Sequence, residues 1–211
     1  MKRVMTVLAL SAIAAAPAAA QWAGMPVWNS PKGGTGVTIN GDLGMPNGNG
    51  KGTAFGARAT FGLANLSLTA GVASWKPKGA SESFTSVGGN AAFKIIGGSL
   101  IPVALNFQVG AARASAADTS PSATRITAGG GVAVSVPTPG ISIEPYLSIT
   151  NRWSKVSGFK TESNLGWTLG ANANFGMFGV HLAYDSEKVT GGTVGTFGLG
   201  AHVALKAPIG M

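Results

Sequence analysis

Two histidines, His181 and His202, are the only side chains in this chain that titrate near neutrality, and cysteine is absent. Thiolate nucleophiles, disulfides and Cys-based metal sites are therefore excluded. General acid–base chemistry needs a base within hydrogen-bond reach of its partner. His181 and Asp185 share a parity at i and i+4, but on an extended chain that spans about 13 Å. No nucleophile motif accompanies either histidine. Gly48–Thr53 imitates a phosphate loop, yet Gly52 follows Lys51 where Ser or Thr is required. Gly195–Gly200 has the wrong spacing for a dinucleotide site. The expectation is a protein that is not an enzyme, with no metal and no cofactor.

The titratable residues take their meaning from the segments that carry them. Thr53–Leu63 sets Phe55, Ala57, Ala59, Phe61 and Leu63 on one parity, and Ala54, Gly56, Arg58, Thr60 and Gly62 on the other. Successive strand side chains face opposite ways, so one face is apolar and the other is polar or minute. The same alternation predicts ten strands: Thr35–Leu43, Thr53–Leu63, Leu66–Trp75, Thr85–Ile96, Val103–Ala112, Arg125–Val136, Ile141–Asn151, Asn164–Phe175, Val180–Lys188 and Thr196–Lys206. Eight is the fallback count, because the first strand is short and Pro145 removes a ladder donor, implying a bulge or a break. Ile95–Ala112 is eighteen residues without a charge, but its Gly97, Gly98 and Pro102 fit two strands and a turn better than a helix.

Within these strand interiors no Asp, Glu, Lys or Arg falls on the apolar parity. An Arg or Lys there would cost about 2–4 kcal/mol at a bilayer midplane. Five long connections alternate with four tight turns, as when one mouth of a barrel carries extended loops. The alternative is a secreted β-sandwich, which predicts charged solvent faces and irregular loops. The expectation is thus an all-β, closed, antiparallel up-and-down transmembrane barrel over residues 35–211, with apolar residues facing lipid. Asp42, Arg58, Arg125 and Asp185 then face inward near the long-loop mouth, and Lys94 and Glu144 near the turn mouth. Two charge-balanced lumen clusters follow, with Tyr146 on the same inward parity.

Composition agrees. Charged residues make up 10% of the chain, against about 25% for ordinary soluble domains. Lys2 and Arg3, the apolar Val4–Ala16 and Ala18-Ala19-Ala20 have the three regions of an export signal. Cleavage near Ala20 removes two of the positive charges, so the formal net charge falls from +8 to +6. Residues 21–34, with Trp22, Pro26, Trp28 and Pro31, form an irregular lead-in placed in or beneath the barrel. The remaining positive residues do not cluster on one helix or stripe, which argues against nucleic acid. Most lie in the long loops: Lys51, Lys76, Lys78, Arg152, Lys155 and Lys160 are loop candidates for meeting phosphate groups of lipid or anionic solutes.

Over roughly Thr35–Lys206 the chain resembles the small bacterial outer-membrane β-barrel proteins. The resemblance rests on pattern rather than on a motif. It implies export to the outer membrane, contact with outer-membrane lipid and folding by the barrel-assembly machinery. That machinery commonly reads a terminal aromatic strand residue, whereas this chain closes on Lys206-Ala207-Pro208-Ile209-Gly210-Met211. The functional expectation is a structural or narrow-pore role for small solutes. A loop-mediated binding module for lipid headgroups or a partner surface is the alternative, and a membrane-embedded hydrolase the third.

Overall fold

The computed structural model describes residues 22–97, 101–116 and 122–205. The expected export signal and the Lys206–Met211 ending lie outside the described residues. Strands β1 (Gly36–Pro46), β2 (Gly52–Leu63), β3 (Leu66–Pro77), β4 (Phe84–Ile96) and β5 (Val103–Ala116) follow in order. They continue as β6 (Ala123–Val134), β7 (Val136–Thr138), β8 (Ile141–Val156), β9 (Glu162–Phe175), β10 (Phe178–Val189) and β11 (Gly192–Leu205). Each pairs antiparallel with its sequence neighbour, and β1 pairs with β11, from Val37 opposite Leu205 to Pro46 opposite Thr196. Because β6 and β7 both pair with β8, they are one stave interrupted at Ser135. The result is a closed ten-stave up-and-down barrel.

The interruption has a chemical cause. Register places Ala133 opposite Tyr146 and Val136 opposite Ile143, so the gap faces Pro145. Proline has no N–H to give the ladder. The expected irregularity thus falls on the neighbouring stave, while β8 runs unbroken through Pro145, itself opposite Ala171 of β9. A second irregularity, a register shift between Lys94 and Ile96, was not anticipated.

Several staves extend beyond the expected ends. β8 reaches Val156 rather than Asn151, and β3 reaches Pro77. The connection expected at Val189–Gly195 shrinks to Thr190-Gly191, because β10 and β11 pair as far as Val189 opposite Gly192. At the other mouth the turns are tight, and Ala64 takes a positive φ of 52° in the Ala64-Asn65 turn.

Parity sorts the side chains as the alternation requires. Phe55, Ile149, Leu165, Leu169 and Leu182 are each at least half exposed on the outer wall. Burying such a side chain contributes about 1.5–3 kcal/mol, and whole domains are stable by only about 5–15 kcal/mol. Dozens of them on a wall facing water would leave no such margin, so the wall calls for acyl chains. Inside, Asn106, Gln108, Thr127, Thr150, Thr168 and Thr196 are buried.

Candidate functional site

The lumen is occupied by the protein's own N-terminal segment. From Trp22 the chain descends through the barrel and joins β1 at the turn mouth. Trp22, Met25, Val27 and Trp28 are at most 4% exposed. Trp22, Met25 and Val27 pack with Ala54, Trp75, Phe84 and Ala116 in the long-loop half. The segment has no alternation, and Pro26 and Pro31 cannot donate to a ladder. It therefore fills the barrel rather than adding a strand.

Wall residues satisfy its backbone and side chains. Trp22 Nε1 donates to Gly71 O at 2.8 Å, and the Ala23 N–H to Ser86 Oγ at 3.0 Å. The Val27 N–H donates to Asp185 Oδ2 at 3.3 Å. Asn29 exchanges bonds with the Asn106 amide at 2.7 and 3.1 Å and donates to Ser148 Oγ at 2.8 Å. Asn172 donates to Asn29 O at 3.2 Å. Lower down, Ser30 Oγ donates to Glu144 Oε1 at 3.3 Å. Six staves, β3, β4, β5, β8, β9 and β10, are thus tied to the segment.

Two ion-pair groups flank the segment. In the first, Arg58 grips Asp42 in bidentate fashion, Nε to Oδ2 at 2.6 Å and Nη2 to Oδ1 at 3.0 Å. His181 Nε2 lies 2.6 Å from Asp42 Oδ1, and its Nδ1 lies 3.3 Å from His202 Nδ1. His202 Nε2 lies 2.9 Å from the Asn174 side chain. An ionised carboxylate can only accept, so His181 Nε2 donates to Asp42. The Trp28 and His181 rings pack edge to face with centroids 4.6 Å apart, and the Arg58 guanidinium sits 5.2 Å over the Trp28 ring.

In the second group, Arg152 donates from Nη1 to Asp185 Oδ1 at 2.8 Å and to Glu187 Oε2 at 3.0 Å, and from Nη2 to Asp185 Oδ2 at 2.8 Å. Its Nε donates to Thr150 Oγ1 at 2.9 Å. Arg125 Nη2 reaches Glu187 Oε1 at 2.6 Å. Thr168 Oγ1 adds a bond to Asp185 at 2.5 Å. Arg152, Asp185 and Glu187 are all fully buried. The two groups balance three guanidiniums against three carboxylates. Burying an ion is tolerable only with such pairing and hydrogen bonding.

One placement corrects the sequence reading, and another adds to it. Arg152, expected among the exposed loop cations, lies inside the lumen, because β8 continues past Asn151 and its parity turns Arg152 inward. Glu187, near the end of the expected Val180–Lys188 strand, is an inward residue of β10 and the acid that Arg125 and Arg152 share. The expected grouping changes as well. Asp42 and Arg58 separate from Asp185 and Arg125, each pair taking its own partners. Glu144 is met by Ser30 and the Lys32 backbone, and no ion pair joins it to Lys94 among the described residues. Lys94 is inward and half-buried, and Tyr146 is inward and 2% exposed. Lys51, Lys76, Lys78, Lys155 and Lys160 remain exposed at the long-loop end.

The titratable side chains of the two ion-pair groups are engaged with one another. Both nitrogens of His181 and both of His202 already face protein partners. A general base needs a nitrogen open to substrate. In the turn half of β1–β4, Thr38, Thr60, Thr69, Asn90 and Lys94 are only half-buried. No group of three or more metal-binding side chains occurs among the described residues.

No protein-family model matches the chain, and no curated protein matches it in sequence. Solved structures do match in shape. The β domain of the Bordetella autotransporter BrkA superposes with a TM-score of 0.54 at 9% identity, covering 82% of this chain and all of that one (100%). The N-terminal β-barrel domain of Pseudomonas aeruginosa OprF gives 0.42 at 10% identity, over 82% and 99% of the two chains. The outer-membrane enzyme PagL gives 0.45 at 9% identity, over 80% and 99%. Closure, antiparallel order and an apolar outer wall therefore give this chain the fold of the bacterial outer-membrane β-barrels.

Proposed function

We propose that the protein is an integral outer-membrane barrel closed to solute flow by its own N-terminal segment, with a structural role and a working surface at the long-loop mouth. The observation that carries this reading is the burial of Trp22, Met25, Val27 and Trp28 on the barrel axis. Barrels of about eight strands are filled by wall side chains alone. Ten staves with Gly, Ser, Thr and Asn inside leave more room, and the segment takes it. The narrow-pore reading requires a continuous path, whereas Trp28 of the segment packs against His181 and Arg58 of the wall.

The outer wall and the fold support an outer-membrane location. Cell fractionation with heat-modifiable gel mobility checks it, and the expected outcome is a folded, fast-migrating band in the outer-membrane fraction. Planar-bilayer recording of that folded protein then tests closure. Silence agrees with the reading, and discrete current steps from the intact protein contradict it.

A further inference from the structure

We propose that Lys51, Lys76, Lys78 and Phe55 form a site on the outer wall for one phosphorylated lipid of the surrounding leaflet. The inference rests on the membrane-spanning reading of the barrel and goes beyond it by naming a ligand class and a place.

Removing Arg152 from the exposed cations leaves the remaining lysines in two sets. Lys155, Lys160 and Lys188 belong to the β8–β10 side. Lys51, Lys76 and Lys78 come together on the opposite side, around the ends of β2 and β3. Lys76 pairs with Thr53 across the ladder, and the Lys78 N–H donates to Lys51 O at 2.7 Å, extending the hairpin by one rung. The three lysines line one groove of about 560 Å³ with Thr53, Phe55 and Ser74. No acidic residue lines it, and none of the three joins an ion pair among the described residues.

Parity fixes which way the groove faces. Phe55, Thr53 and Lys76 share the outward parity of the lipid-facing wall. Phe55 is 65% exposed, high on β2. Moving toward the loop mouth, the wall passes from Phe55 through Ser74 and Thr53 to three ammonium groups. That order, apolar, then hydroxyl, then cationic, mirrors a lipid read from acyl chain to phosphate headgroup. Ammonium groups near a membrane surface draw anionic lipid electrostatically, and Lys binds phosphate as a point charge. A soluble anion would have no use for Phe55.

Native mass spectrometry of the folded mature barrel from a neutral detergent tests the site, with phosphatidic acid and phosphatidylcholine as probes. One phosphatidic acid should be retained per barrel, at least tenfold more tightly than phosphatidylcholine. The triple variant K51Q/K76Q/K78Q should weaken retention at least fivefold, while K155Q/K160Q/K188Q, with the same charge change, should not. Heat-modifiable mobility reports separately that each variant is a folded barrel, so loss of the membrane reading is distinguishable from loss of the site. Unchanged retention in the first variant overturns the proposal. So does an equal loss in both variants, which would mean diffuse attraction, and so does displacement by inorganic phosphate at equal concentration, which would mean a soluble anion.

Discussion

Asp42 and His181 meet across Gly200, which stands between them in one row of the barrel wall. Asp42 of β1 is opposite Gly200 of β11, and Gly200 is opposite His181 of β10. A Cβ on Gly200 would run into His181 Nε2 and Asp42 Oδ1. Two staves apart, these side chains touch only because the intervening position has no side chain. Gly166 of β9 repeats the device, since Arg152 crosses it from β8 to reach β10.

Gly200→Ala should therefore separate Asp42 from His181 and overpack the wall. The expected loss is about 1–3 kcal/mol, read as a lower temperature for the heat-modifiable mobility shift. Gly41→Ala is the matched control, because nothing lies within 4 Å of a Cβ built there. If both variants melt like the wild type, the bridge across Gly200 does not hold the barrel.

Arg152→Met should be the most damaging single change in the lumen. It leaves Asp185 and Glu187 buried with much of their compensation gone, and removing one partner of such a group costs about 3–5 kcal/mol. The added change Asp185→Asn in that background should recover part of the loss, since Glu187 keeps Arg125 as its counter-charge and no unpaired carboxylate remains. Urea unfolding in detergent measures both effects. Additive losses instead of recovery would contradict the pairing.

Outward and inward parity can be told apart by one residue. Leu169 is 55% exposed in the span of β9, and its neighbour Thr168 is fully buried in the lumen. Leu169→Arg should cost about 2–4 kcal/mol if it faces the bilayer midplane and should depress folding into phosphatidylcholine vesicles. Trp153→Arg, on the same wall but beyond the expected apolar belt, should be tolerated far better. Equal folding yields would place acyl chains somewhere other than this wall.

The ten staves were legible because lipid outside and a polar lumen inside force a period of two over every span. Leu165 to Phe175 shows it without interruption. What escaped was whatever depends on register between strands. The partnership of Asp42 with His181 needs the closing β1–β11 ladder and the β10–β11 ladder together, and no local pattern encodes either. Arg152 was lost for a related reason. Polar residues just past the apolar belt look like loop residues, although the ladder continues through them with its lumen face intact. The N-terminal segment has Trp and Pro without period, so its composition marked it as irregular while its depth in the barrel was left open.

Closure of the lumen by that segment is the central claim, and current through the barrel measures it most directly. A variant lacking Trp22–Ser30, folded and recorded in a planar bilayer beside the intact protein, should open a steady conductance where the intact protein is silent. Equal currents from the two proteins, or silence from a correctly folded deletion variant, would show that the segment is not what seals the barrel.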